Sequence, residues 1–439
     1  MLVDRKDLGI AKGIKIQFGY QNACAYDFTA HRVFLLNKND AKAICQGEFS
    51  SLPSSYIDSL RNNLILSDGI GPFEMNPEQF DYSLFHDRDT GKRVKIIYLE
   101  VTERCNYRCL HCYAETDDKK NQDIALETIE KVINDLGPCP EVDFRITGGE
   151  PFLHPQIFAI LELISHKVKP LSKHTIVTNG SFSLEDAIRA INLGFDLQIS
   201  IYGMQASTFV DFTKTTYGQF QIVQTNLSRL SDAQYRDHIL LLFSTNALTY
   251  YELNGFEKWA QATGLRYIVN RPASVGRAVD NWDTLKLTPQ QYVEFSKKQV
   301  TGLPQFCYHL CQLHWTVISV NGDVSPCSFI RLDKHPEFLL GNVLSDCFPN
   351  VWAGEKYEAF RSLNASDAKD CSACEFKYLC TAGCCGESLC YCGDLFARYP
   401  WCAVRPAENP DYFLVLPGKL FEVEKIAAGV FDFHPIDDK

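Results

Sequence analysis

The sequence predicts an α/β protein: a partial (β/α)6 barrel of parallel strands, set between a small N-terminal domain and a cysteine-rich C-terminal one. Three observations predict it. Between about residues 94 and 300, short apolar runs alternate with segments of helical spacing, the pattern of βα units folding onto a parallel sheet. The first of those runs leads straight into Cys105, Cys109 and Cys112. Most of the remaining cysteines crowd toward the C-terminus, from Cys307 to Cys402.

Taken in order, the N-terminal domain should open with short strands at Ile14–Phe18, Ala23–Phe28 and Arg32–Leu36, each rich in β-branched or aromatic residues. A helix then starts at Asn37 and stops at Gly47, and a second follows over Leu52–Leu66 with Tyr56, Leu60 and Leu64 on one face. Residues 69–93, with Gly69, Gly71, Pro72 and Pro77, read as a linker. The barrel strands are predicted at Ile96–Val101, Val142–Thr147, Thr175–Thr178, Leu197–Ile201, Ile239–Phe243 and Arg266–Val269. Helical spacing fills the gaps at Leu126–Leu136, Ile157–Ser165, Leu184–Leu193 and Phe220–Leu230. Near the end, Phe421–Ile426 also has helical spacing, in a tail expected to pack back on the barrel. The resulting division is 1–88 for the N-terminal domain and linker, 89–300 for the barrel, 301–408 for the cysteine-rich domain and 409–439 for the tail.

A formal charge of −11 disfavours a general nucleic-acid or anionic-membrane binder. No apolar run reaches the roughly eighteen residues that span a bilayer, and Met1–Asp7 lacks a basic-then-apolar signal pattern. We therefore expect a cytoplasmic protein with no membrane partner. Eighteen cysteines in such a chain argue for metal or redox chemistry rather than a disulfide framework.

Cys105-Asn-Tyr-Arg-Cys109-Leu-His-Cys112 stands at the end of a predicted strand. Three thiolates can hold three corners of a [4Fe–4S] cube and leave the fourth iron open. Zinc is the alternative, but a structural zinc wants a fourth close ligand, and His111 lies inside the motif, poorly placed to supply it. At the end of the second strand, Thr147-Gly148-Gly149-Glu150-Pro151 pairs a flexible backbone with an acid able to accept from an amine. Spacing by itself leaves both metals open.

The C-x3-C-x2-C motif, followed in register by Gly-Gly-Glu-Pro, resembles the signature of radical S-adenosylmethionine (SAM) enzymes. The resemblance implies a TIM-like partial barrel, a cluster on Cys105, Cys109 and Cys112, and SAM on its open iron. An electron from that cluster then cleaves SAM to methionine and a 5′-deoxyadenosyl radical. It further implies SAM contacts from Gly148, Gly149 and Glu150 to the methionine amino group, from Asn179 in Thr178-Asn-Gly180, from Ser200 near the ribose and carboxylate, and from Lys214. The family usually has an aromatic residue just before the third cysteine. Here it is His111, which can still stack on a base, with Tyr113 just after.

Downstream, Cys311-x10-Gly322-x4-Cys327 and Cys371-x2-Cys374-x5-Cys380-x3-Cys384, closed by Cys402, resemble the SPASM domain, which carries auxiliary [4Fe–4S] clusters. The resemblance implies one cluster on Cys311, Cys327 and Cys384 with Cys307 as fourth ligand, and another on Cys371, Cys374, Cys380 and Cys402. If Cys307 does not ligate, the first keeps an open iron. Cys390 or Cys392 could replace Cys402, although Pro400-Trp-Cys402 fits the family's closing segment better. The expected cofactors are then SAM and three [4Fe–4S] clusters, using eleven of the eighteen cysteines. Cys24 and Cys45 are expected to be ordinary small buried residues, and Cys139 and Cys347 to be structural.

Residues 1–88 resemble the winged-helix-like peptide-recognition domain of ribosomal-peptide maturases. The implied function is a radical SAM maturase that abstracts hydrogen from a ribosomal precursor peptide to form a thioether or C–C crosslink. Its partners would be the precursor, its leader held by the N-terminal domain, and an electron donor such as flavodoxin or ferredoxin. Two alternatives stay open, a sulfatase-maturase-like enzyme and a non-catalytic iron–sulfur carrier. Ser328 stands where sulfatase-maturing relatives have an aspartate after the cysteine, and the sequence offers no obvious replacement base.

Overall fold

The computed structural model describes residues 8–19, 22–68, 93–271, 273–298, 314–361, 368, 371–380, 384–399, 402, 415–427 and 430–436. The expected linker, apart from Arg93, lies outside the described residues, as do Cys307 and Cys311.

The N-terminal domain begins with β1 (Leu8–Ile10), β2 (Ile14–Phe18), β3 (Asn22–Asp27) and β4 (Arg32–Asn37). Two helices follow, α1 (Lys38–Gln46) and α2 (Ser54–Asn62), and then β5 (Leu66–Asp68), which pairs with β1. The Asn37 side chain caps α1 by accepting from the N–H groups of Asn39 and Asp40, and Gly47 ends it at φ 73°, as helix punctuation requires.

The barrel strands are β6 (Ile96–Thr102), β7 (Asp143–Gly148), β8 (His174–Thr178), β9 (Phe195–Ile201), β10 (Ile239–Ser244) and β11 (Arg266–Asn270), all within a residue or two of expectation. They alternate with α3 (Leu126–Asp135), α4 (Ile157–Lys167), α5 (Leu184–Asn192), α6 (Ala206–Thr213), α7 (Tyr217–Leu230) and α8 (Leu253–Thr263). Three further helices follow β11: α9 (Arg277–Asp280), α10 (Trp282–Leu285) and α11 (Pro289–Lys298). Each βα crossover returns the chain parallel to its predecessor, which places the strands' C-terminal ends at one mouth. Ile97, Leu99 and Val101 of β6 are fully buried under the helices, whereas Ile96, Tyr98 and Glu100 between them are only partly covered. That alternation sends the second set into the barrel.

The sheet runs past the expected barrel boundary. Its order is β11-β10-β9-β8-β7-β6-β12-β13-β14, where β12 (Trp315–Ile318) pairs parallel to β6, and β13 (Asp323–Ser325) and β14 (Gly341–Asn342) continue antiparallel. The cysteine-rich domain thus grows directly from the barrel's first strand.

The tail departs from expectation. Residues Leu420–Ala427 form β15, not a helix, and pair with β16 (Val430–Pro435). This hairpin joins the N-terminal sheet in the order β16-β15-β4-β3-β2, with α11 of the barrel alongside. Apolar residues at Phe421 and Val423 suit a strand as well as a helix, and the backbone edge of β4 decides between them. One face of the completed sheet, through Ala23, Ala25, Phe34, Leu36 and Leu420, packs on α1 and α2. The other, through Cys24, Tyr26, Val33, Leu35 and Val423, packs on Phe376 and Leu379 of the cysteine-rich domain.

Candidate metal and cofactor centre

The cysteine loop starts where β6 ends and is held from four sides. From β7, the N–H groups of Gly149 and Glu150 donate to the carbonyls of Thr102 and Arg104, both at 2.7 Å. A Cβ on Gly149 would collide with the Arg104 carbonyl. The glycine pair therefore brings two backbones together, a role beyond any ligand approach. From β8, Asn179 Nδ2 donates to Asn106 Oδ1 at 2.8 Å, and Asn106 Nδ2 donates to Ser181 Oγ at 2.8 Å. From the end of α6, the carbonyls of Phe212 and Thr213 accept from Leu110 and Arg108 at 3.0 and 2.9 Å. These are orphan helix-terminal acceptors finding partners in the loop.

The fourth side was not legible in the sequence. The backbone N–H of Arg277 donates to the Cys112 carbonyl at 3.1 Å. Its guanidinium donates to the carbonyls of Cys109 (Nε, 3.1 Å) and Thr116 (Nη2, 2.7 Å). Gly276 permits this contact: at φ 54°, a Cβ there would stand 2.5 Å from the carbonyls of Cys112 and Tyr113. No local motif announces Gly276-Arg277, because their partners lie far back in the chain.

The three thiols lie near enough for their charges to act on one another. Burial pushes the Cys105 thiol up to about 12 and Cys109 well above its ordinary value. In Cys109 the charges of Cys105 and Cys112 add to the rise, while that of Arg277 opposes it. Buried thiols whose pKa is raised call for compensating positive charge, which the iron of a bound cluster would supply. Among the described residues, no three Cys, His, Asp or Glu side chains stand close enough to share one metal ion. Three cysteines on one loop that sense one another's charge are a donor set that fits the implied cluster.

The candidate SAM residues sit around this mouth in different states. Glu150 is 1% exposed, and its carboxylate accepts from Asn179 N (2.7 Å), Thr178 Oγ1 (2.8 Å) and Phe152 N (3.3 Å). Burial raises its pKa to about 7 even against those three donors. Ser200 is buried on β9. The His111 ring lies 4.8 Å from that of Phe212 and 5.3 Å from that of Tyr202, with Nδ1 buried and without a hydrogen-bond partner. Burial, with the nearby Arg277 charge, lowers its pKa to about 4. The ring is therefore a neutral member of an aromatic cluster. Tyr113 places its hydroxyl 3.4 Å from Thr147 Oγ1. Lys214 stands apart from these, exposed at the end of α6 with φ 54°.

In the cysteine-rich domain, Cys374, Cys380 and Cys402 gather in the apolar cluster that includes Cys24, Tyr26 and Phe376. Cys371 packs with Ile330, Phe360, Cys385 and Cys327. Burial pushes the Cys327 thiol up to about 11, opposed by the hydrogen bond its sulfur accepts from Phe329 N at 3.4 Å. Cys384 belongs to the barrel core, where its charge reaches Arg271. Cys24 is fully buried, and burial followed by the charges of Glu375 and Cys374 pushes its thiol up. Although far away in sequence, it borders the second group of cysteines. Arg271 also closes on Glu387, of the helix Cys385–Cys392, tying the barrel to this domain.

Parts of the chain match known families, and its fold resembles that of solved proteins. Residues 99–243 match the radical SAM superfamily, and residues 307–375 match SPASM, an iron–sulfur cluster-binding domain. The mycofactocin maturase MftC of Mycolicibacterium smegmatis is 27% identical over 310 residues, which is 65% of this chain and 76% of that protein. The AdoMet-dependent heme synthase of Oleidesulfovibrio alaskensis is 24% identical over 371 residues, 73% of this chain and 90% of that one. Streptococcus suis SuiB, solved bound to its precursor peptide SuiA, shares the fold with a TM-score of 0.51 at 14% identity, covering 87% of this chain and 96% of that chain. Cysteine spacing, barrel topology and these matches agree: the chain carries a radical SAM domain followed by a SPASM iron–sulfur cluster-binding domain.

Proposed function

We propose that the chain is a radical SAM maturase that modifies a ribosomally made precursor peptide by forming a crosslink. The observation that carries the reading is the three-thiol loop clamped at the barrel mouth by β7, β8, α6 and Arg277. With a [4Fe–4S] cluster on Cys105, Cys109 and Cys112 and SAM on its open iron, that site would supply a 5′-deoxyadenosyl radical for hydrogen abstraction. The protein's own contribution is geometric. Backbone donors and carbonyls fix the loop, the glycine pair seats β7 against it, and the aromatic group of His111, Tyr202 and Phe212 lines its inner side. Glu150, Asn179 and Ser200 are assigned to orienting SAM at the strand ends, with Gly148, Gly149, Lys214, His111 and Tyr113 as further candidates.

Auxiliary clusters are assigned to Cys307, Cys311, Cys327 and Cys384 and to Cys371, Cys374, Cys380 and Cys402, with a flavodoxin or ferredoxin as electron donor. A peptide substrate is supported by MftC, a maturase by name, and by SuiB, solved with a precursor peptide. The likeness to SuiB extends over 87% of this chain. Ser328 in place of an aspartate weighs against sulfatase maturation. Among the described residues no helix is long and apolar enough to cross a membrane, and a cytoplasmic site of action fits oxygen-sensitive clusters.

The test is anaerobic reconstitution with iron and sulfide, followed by dithionite and SAM, with and without Cys105→Ala. We expect 5′-deoxyadenosine that depends on Cys105, and iron approaching three clusters per chain. A fully loaded preparation that makes none, alone or with a peptide encoded beside the gene, overturns the reading in favour of an electron carrier.

A further inference from the structure

One face of the N-terminal sheet rests on the turn from Cys374 to Cys380. Tyr26 of β3 donates its hydroxyl to the Glu375 carbonyl at 2.7 Å, and its ring meets that of Tyr378 edge-on with centroids 5.4 Å apart. Lys15 Nζ of β2 donates to the Tyr378 hydroxyl at 3.1 Å. The Glu375 side chain fills the space that a Cβ at Gly19 would need, so a glycine there leaves room for the contact. β3 lies inside the sheet, with Cys24 paired to Gln17 of β2 on one side and to Leu35 of β4 on the other. That double register fixes which face each of its side chains takes.

Cys24 is a free, fully buried thiol on that face. A core accepts such a thiol as a small apolar residue without further purpose. Its surroundings argue for more. Cys374, Cys380 and Cys402 pack against the same apolar cluster as Cys24. Cys371 packs against a different one, with Cys327, Cys385 and Phe360. The charge of Cys374 reaches Cys24, and the charges of Cys380 and Cys402 reach Cys374. A [4Fe–4S] cluster held by protein alone takes four thiolates, and four cysteines gather here.

We propose that Cys24 supplies the fourth thiolate of the auxiliary cluster on Cys374, Cys380 and Cys402, in the place that spacing gives to Cys371. The iron then crosslinks the first domain of the chain to the cysteine-rich one. This rests on the reading of residues 301–408 as a domain with auxiliary clusters, and adds a ligand from outside that domain. The strand Asn22-Ala-Cys24-Ala-Tyr-Asp27 carries a single cysteine in no metal motif; only the fold brings it to the others. Loading the site with iron should therefore slow amide exchange in β3 beyond what packing alone achieves.

The experiment uses the full-length protein, reconstituted anaerobically with iron and sulfide, with no SAM and no peptide. Iron is counted and Mössbauer spectra are recorded for Cys24→Ala, Cys374→Ala and the double variant. Cys24→Ala and Cys374→Ala should each lose about four irons per chain, as one [4Fe–4S] cluster. The double variant should lose no more than either single one, because the two changes act on one site. Cys371→Ala should keep this cluster, so any iron it loses adds to the loss in Cys374→Ala. Amide hydrogen exchange across β2–β4 in the metal-free chains shows whether Cys24→Ala disturbs the sheet. If it does, Cys24→Ser, close in size, takes its place and should lose the cluster or hold it at a shifted reduction potential. Wild-type iron and an unshifted potential in Cys24→Ser overturn the proposal, as does a loss in Cys24→Ala that adds to that of Cys374→Ala. Full iron in Cys374→Ala overturns the auxiliary-cluster reading itself; iron lost from Cys374→Ala but not from Cys24→Ala overturns only the role of Cys24.

Discussion

Arg271 and Glu387 meet side-on, Nη1 to Oε1 at 2.8 Å and Nη2 to Oε2 at 2.7 Å, with side-chain exposures of 18% and 1%. Ser274 N adds a third donor to the same carboxylate at 3.2 Å, and the Tyr399 hydroxyl closes on the guanidinium. Burial works to lower the Arg271 pKa, but the charge and hydrogen bond of Glu387, with the nearby Tyr292 and Cys384, together more than offset it. Removing one partner strands a buried charge, so Glu387→Ala should destabilise the chain by about 3–5 kcal/mol. Arg271→Met with Glu387→Leu should recover most of that loss. Chemical denaturation of the two single variants and the double variant measures both.

Gly276 should be intolerant of any side chain. At φ 54°, with two carbonyls 2.5 Å from the position of a Cβ, Gly276→Ala combines backbone strain with a collision against the cysteine loop. A loss of about 1–3 kcal/mol is expected, along with reduced iron at the Cys105 cluster. Mössbauer or iron analysis in a background lacking the auxiliary cysteines reads the second effect.

Arg277 should separate charge from geometry. Arg277→Ala removes both guanidinium bonds, to Cys109 O and Thr116 O. We expect a loss of about 1–3 kcal/mol and poorer retention of iron on desalting. Arg277→Lys keeps the charge without the two-pronged reach and should fall between the two. Retention equal to wild type in Arg277→Ala would show that the other three clamps suffice.

The Glu150 carboxyl should make the metal-free chain lose stability as pH rises. Its folded pKa, about 7, lies above the ordinary 4.5, so between those values the folded chain holds a proton that the unfolded chain has released. The contribution is fully present below about pH 4.5 and is lost as pH rises through 7, on the order of 3 kcal/mol in all. Thermal unfolding from pH 4.5 to 8 should show that slope, and Glu150→Gln should flatten it.

The sequence disclosed what is local or rigidly spaced. Six apolar runs placed β6 to β11 to within a residue or two, because period and length suffice for strands in a parallel sheet. The spacing from Cys105 to Cys112 announced a three-thiol site. What stayed hidden joins residues far apart in the chain. Arg277 reaches Cys109 across 168 residues and Arg271 reaches Glu387 across 116, and neither arginine sits in a pattern that marks it. Phe421–Ile426 read as a helix because six residues cannot separate the two periods; the unfilled edge of β4, a tertiary fact, settled it as a strand.

The shared sheet also sets an order of events during synthesis. β4 leaves the ribosome long before Leu420 is made, and every cysteine motif is translated in between. For that interval the nascent first domain carries a bare β edge, the feature most prone to mispair with another chain. The strand that covers it is made only after the barrel and the cysteine-rich domain. A stop codon before Leu420 therefore acts on β4, and poor solubility of such truncated chains would trace to residues 32–37.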